Sequence, residues 1–113
     1  MSELLILEGE PMVGRILEHK LRREGHSVTW LRVPSPDAPE SDVALVEVDL
    51  GGDSRSWMAS GPGPRVGWFA ICEHGDEQAA QRAVRAGAAG VILKPFKPTE
   101  VAAQVRTLLE VGM

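Results

Sequence analysis

The chain is 113 residues long, with twelve Lys and Arg against sixteen Asp and Glu, a net charge of −4 at pH 7. That length supports one domain (1–113), and the single Cys72 excludes both a disulfide framework and a cysteine-based zinc site. The acidic balance argues against a nucleic-acid or anionic-membrane binder, and with neither a membrane-length apolar run nor a signal-peptide plan the chain reads as soluble and cytoplasmic.

Apolar runs alternate with helix-period stretches along the chain, the pattern of an α/β fold with a parallel sheet. Leu4–Leu7 has no polar break, as expected of a strand covered on both faces. Pro11 suits the first turn of a helix whose apolar stripe reads Val13, Ile16, Leu17 and Leu21, with Gly25 as its stop. His19, Lys20, Arg22 and Arg23 give that helix a basic end compatible with its dipole. Strands are expected at Ser27–Leu31, Val43–Val46, Val66–Ile71 and Gly90–Leu93. An Ala-rich helix over Asp76–Ala86 closes at Gly87, and Pro98 opens a final helix carrying Val101, Val105, Leu108 and Leu109.

Two connections are lean. Pro34, Pro36 and Pro39 oppose a helix between Val33 and Asp42, so an extended strap is expected there. Gly51–Pro64 has room for about two helical turns around Ser54–Ala59, where Trp57 would cover exposed sheet; Trp30 and Trp68 read as packing residues.

In open parallel sheets ligands bind beyond the carboxyl ends of the strands. Those positions hold Glu8-Gly9-Glu10, Glu47-Val48-Asp49, Cys72-Glu73-His74 and Lys94-Pro95-Phe96. Acids facing one lysine would repel a nucleotide or flavin phosphate, and no glycine-rich phosphate loop is present.

These residues resemble a known family over essentially the whole chain. Glu8-Gly9-Glu10-Pro11, Val43–Glu47, Arg85-Ala86-Gly87-Ala88 and Leu93-Lys94-Pro95-Phe96 together resemble a response-regulator receiver domain of two-component signalling. The resemblance implies a doubly wound, flavodoxin-like five-stranded parallel sheet of order 2-1-3-4-5, here with shortened or missing second and third helices. It also implies a cis Lys94–Pro95 peptide.

In such domains an aspartate ending the third strand accepts a phosphoryl group, and an acidic pair after the first strand helps to bind Mg²⁺. Lys94 matches the family lysine, whereas Glu8 and Glu10 flank Gly9, which stands where the metal-binding acid belongs. Glu47 replaces the acceptor, Cys72 falls at the hydroxyl position and Val91 at the aromatic switch position. Gly9 removes a hard oxygen ligand, Glu47 reaches about 1.5 Å further than Asp, Cys72 is a weak donor, and Val91 has no polar tip.

The resemblance therefore implies an atypical pseudo-receiver with a vestigial pocket. It would need no cofactor or metal and would act through a protein partner such as an effector domain, a kinase or another signalling protein. The last two helices and the fifth strand would offer an output or homodimer face including Arg82, Arg85, Lys97, Glu100 and Gln104.

Plainer readings stand beside this one. Glu8 and Glu10 could be solvated acids at a helix N-terminus, Glu47 and Lys94 a structural salt bridge, and Cys72 near His74 a buried thiol beside a loop histidine. Rival functions are a working phosphoacceptor using Glu47 or Asp49, and a small cofactor-binding flavodoxin-like protein.

Overall fold

Five strands form one parallel sheet in the computed structural model, which describes residues 2–35, 37–48 and 63–112. The chain runs β1 (Glu3–Leu7), α1 (Pro11–Arg23), β2 (Ser27–Leu31), β3 (Val43–Glu47), β4 (Gly67–Glu73), α2 (Glu77–Arg85), β5 (Gly90–Lys94) and α3 (Pro98–Gly112). The order β2-β1-β3-β4-β5 is the doubly wound one that the resemblance implies. Parallel pairing puts every carboxyl end on one rim, with Leu7 opposite both Leu31 and Val46, Glu47 opposite Ile71, and Glu73 opposite Lys94.

Strand alternation divides the core between the two faces. On one face Leu4, Ile6, Leu45 and Ile71 meet Leu17 and Leu21 of α1 and Val101 and Val105 of α3. On the other, Leu5, Leu7, Val46 and Trp68 pack with Ala79 and Ala83 of α2. The small side chains of α2 leave room for the Trp68 ring, which is buried.

Helix ends follow local chemistry. The Asp76 carboxylate accepts from Ala79 N–H at 3.1 Å and opens α2. Gly25 and Gly87, at φ of 96° and 103°, close α1 and α2 in a conformation that side chains resist. The basic end of α1 is engaged internally: Lys20 pairs with Glu24 at 3.6 Å, and Arg22 donates to the Val28 carbonyl at 2.8 Å.

No described residue between Arg32 and Asp42 is helical, in keeping with the proline-rich strap. Ala38 packs on the second core cluster, Asp42 N–H donates to Glu3 O at 2.7 Å, and Arg65 pairs with Glu40 and Asp42, each at 3.2 Å. Asp49, Trp57 and the expected turns at Ser54–Ala59 lie outside the described residues.

Two expectations are corrected. β4 runs to Glu73 rather than ending at Ile71, because Cys72 still has core to face and Glu73 still pairs in register with Lys94. Ile16 is 44% exposed, and the buried stripe of α1 is Gly14, Leu17 and Leu21. Gly14 takes the inward place because the Trp30 indole fills the space its Cβ would occupy.

Gly14→Ala tests that packing. Alanine favours a helix by about 1 kcal/mol over glycine, but the collision with Trp30 should outweigh this at about 1–3 kcal/mol. Thermal melts should show Gly14→Ala below the parent in Tm.

Candidate functional site

The carboxyl rim collects the titratable residues that the strands deliver to one point. β5 ends in Lys94, β3 in Glu47 and β4 in Glu73; Glu8 follows β1, and Glu10 sits at the N-cap of α1. Lys94 Nζ lies 2.7 Å from Glu47 Oε2, 3.0 Å from Glu10 Oε1 and 3.2 Å from Glu8 Oε2, with Glu73 Oε1 further off at 3.9 Å.

Burial grades the set. Glu8 is fully buried and the Lys94 side chain only 8% exposed, whereas Glu10 is open to solvent at 56%. Glu8 is thus not a solvated acid, and Glu10, though at the N-cap, makes no capping bond and turns its carboxylate to Lys94. Backbone amides complete the arrangement: Gly9 N–H donates to Glu47 Oε1 at 3.0 Å and Glu10 N–H to Glu8 Oε2 at 2.9 Å. Glu8 Oε1 accepts no hydrogen bond, although Lys94 Nζ is 3.1 Å away.

Acids outnumber the single ammonium, and the protonation tendencies diverge accordingly. Burial pushes the Glu8 carboxyl above the ordinary range, and the negative charge of Glu47 adds to this against the hydrogen bonds from Glu10 N–H and Lys94. Burial acts the same way on Glu47, but there the hydrogen bonds from Lys94 and Gly9 win and hold it below the ordinary value. For Lys94 burial disfavours the charge, yet the hydrogen bonds to Glu47, Glu10 and Glu8 outweigh it and keep the ammonium above the ordinary lysine range.

The remaining expected residues sit apart from this cage. Cys72 is buried in the second core cluster among Trp68, Ala79 and Ala83, while His74 is exposed and its N–H donates to the Lys94 carbonyl at 3.1 Å. Val91 packs half-buried against the same cluster. Arg82, Arg85, Lys97, Glu100 and Gln104 are all exposed. Lys97, Glu100 and Gln104 line a groove of about 620 Å³ between β5 and α3, and Arg82 and Arg85 do not. The sequence did not single out Glu73 or the Gly9 amide as parts of the cage. The register of Glu73 with Lys94 is a signal for the first; a backbone donor carries none.

Glu8, Glu10 and Glu47 each offer an oxygen within 4.8 Å of the others, a spacing that could hold a cation. The arrangement does not fit Mg²⁺. That ion needs oxygens at about 2.0–2.1 Å, whereas the Lys94 ammonium already stands at 2.7–3.2 Å from all three glutamates. Gly9 adds no carboxylate to the set.

The Lys94–Pro95 peptide is cis. Structural comparison places this fold beside a protein described as a response regulator from Chloroflexus aurantiacus J-10-fl (25% identity, 96% of this chain and 98% of that one, TM-score 0.81). The chain has the fold of a response-regulator receiver domain. The receiver domain of a signal transduction histidine kinase from Syntrophus aciditrophicus is similar at 23% identity, over 97% and 91% of the two chains, with TM-score 0.80. NtrX from Brucella abortus matches at 19% identity with TM-score 0.78, over 98% of this chain but 27% of its own length. No protein-family model and no curated protein sequence matches the receiver-like chain.

The cage predicts opposite pH signatures for its two most buried acids. Glu47, lowered in the fold, adds stability that is present above the ordinary carboxyl value of 4.5 and lost as pH falls through its folded value. Glu8, raised, adds stability that is present below 4.5 and lost as pH rises through its folded value. Melts from about pH 3 to about pH 8 should show Glu47→Gln below the parent near neutrality, with the gap closing in acid, and Glu8→Gln gaining on the parent as pH rises. Lys94→Met leaves the acids without a cation and should cost about 3–5 kcal/mol at neutral pH.

Proposed function

We propose that this chain is a signalling module on the receiver fold that acts by protein–protein contact independently of phosphorylation. One observation carries the reading: Lys94, the residue that would contact a phosphoryl group in the resembled family, is engaged by Glu47 at 2.7 Å. Both Glu47 oxygens are occupied, one by Lys94 and the other by Gly9 N–H. The longer Glu side chain brings its carboxylate to the lysine directly. A carboxylate carries one negative charge where a phosphoryl group carries nearly two, so the pair imitates a phosphorylated pocket in part.

On this reading the pocket of Glu8, Gly9, Glu10, Glu47 and Lys94 is vestigial, Cys72 serves the core, and Val91 cannot act as a polar switch. The exposed face of α2, β5 and α3 carries the output. Leu93 is 40% exposed there, and the groove lined by Phe96, Lys97, Glu100 and Gln104 offers a mixed apolar and charged seat. Its partner is a kinase, an effector domain or another signalling protein, or a second copy of this chain; neither nucleic acid nor membrane is a ligand. No helix among the described residues is long and apolar enough to cross a membrane. The module works in the cytoplasm and catalyses no reaction of its own.

Incubation with acetyl phosphate and Mg²⁺, followed by intact-mass measurement, separates this reading from a working phosphoacceptor. The expected spectrum is unchanged. A stable adduct of about 80 Da, one phosphoryl group on an acceptor carboxylate such as Glu47 or Asp49, would overturn it.

A further inference from the structure

Glu8, Gly9 and Glu10 form the turn between β1 and α1, and every backbone polar group of Glu8 and Gly9 has a partner. Glu8 N–H donates to Leu31 O at 3.0 Å and Gly9 N–H to Glu47 Oε1 at 3.0 Å. The Glu8 carbonyl accepts from Trp30 Nε1 at 3.0 Å, and the Gly9 carbonyl accepts from Arg32 Nε and Nη2 at 3.3 and 3.2 Å. Leu31, Trp30 and Arg32 all belong to β2 or follow it directly, and β2 is an edge strand of the sheet.

The geometry points to Trp30 and Arg32 as positioning residues: from the sheet edge they hold the two carbonyls of this turn and so aim Glu8 and Glu10 at Lys94. The turn is the only covalent link between β1 and the Glu10 carboxylate, and its two amides, Gly9 and Glu10, bind the Glu47 and Glu8 carboxylates of the same cage. A displacement of the carbonyls would therefore be felt by Glu8, Glu10 and Glu47, the three glutamates nearest Lys94.

Trp30 is suited to the task because its place is fixed by shape. The indole occupies the space above Gly14 in α1 and packs against the first core cluster, so its N–H direction is set by packing. A partly buried indole N–H, which can only donate, also requires an acceptor. Arg32 is exposed and touches the turn through its guanidinium fork, which presents two N–H groups to one carbonyl. The arrangement makes the edge strand a route by which contact at β2 would reach the lysine.

This inference rests on the proposed Lys94 cage, and its test reads the lysine directly and needs no partner. Nitrogen-edited NMR of the intact chain follows hydrogen exchange of the Lys94 ammonium protons. Trp30→Phe removes the donor together with the part of the indole that lies over Gly14, so its packing loss is read from Tm and its donor loss from Lys94 exchange; Arg32→Ala removes the fork without touching the core. Each should speed Lys94 exchange several-fold over the parent, and Arg32→Lys should restore part of the protection. Val13→Ala, which loosens the packing of α1 on the first core cluster and removes no hydrogen bond to the turn, should lower Tm and leave exchange at the parent rate. Should Trp30→Phe fail to fold, Arg32→Ala decides alone. Variants at Trp30 and Arg32 that lower Tm as Val13→Ala does, with Lys94 exchange unchanged, would reduce both residues to packing and overturn the proposal. Adduct formation with acetyl phosphate would sink the signalling reading and leave this result untouched.

Discussion

The Lys94 ammonium is nearly buried at the carboxyl rim of the sheet, and an isolated cation there would be costly to desolvate. Its position depends on Glu47, Glu10 and Glu8 all lying within 3.2 Å of Nζ. The parallel sheet makes this possible, since β1, β3 and β5 all discharge their last residues onto the same rim. Mutual attraction alone would leave the acids in excess. Two amides of the β1–α1 turn share the load, and the most buried carboxyl, Glu8, is pushed toward its neutral form.

The rest of the fold can be read as support for that rim. α1 and α3 cover one face of the sheet with large aliphatic side chains, and α2 covers the other with alanines fitted to Trp68. The proline-rich strap replaces a helix after β2, and its anchoring through Asp42 and Arg65 is at the opposite, amino-terminal rim. Nothing in that economy disturbs the ends of β1, β3 and β5. Among the described residues, the strand frame that delivers the charged residues is complete, while the segment after β2 is an extended strap.

Much of this was legible in the sequence, for physical reasons. Continuous apolar runs such as Leu4–Leu7 and Val43–Val46 mark strands covered on both faces, and the glycines at 25 and 87 mark helix stops. Glu8, Glu47 and Lys94 could be placed at strand ends, and therefore near one another, before any side chain was seen. Ile16 could not be placed correctly, because a stripe read from apolar residues overlooks a glycine pressed beneath a tryptophan. The length of β4 was hidden by the change from Cys72 to Glu73, one facing core and the other solvent. Backbone partners left no trace at all: Gly9 looks like a lost carboxylate, yet its N–H holds Glu47. Trp30 read as a packing residue and Arg32 drew no notice, because the carbonyls they bind carry no sequence signature.

On the proposed function, Lys94 is satisfied by this chain's own carboxylates and the pocket stays closed to the metal and phosphoryl chemistry of the resembled family. The most direct measurement is an NMR titration of the intact chain with Mg²⁺ and beryllium fluoride, a phosphoryl mimic, following the amides of Glu8, Gly9 and Glu47 and the Lys94 ammonium. The account predicts that these resonances stay in place throughout. Saturable shifts converging on them would show that the cage opens to admit a cation and a phosphoryl-like group, and would contradict it.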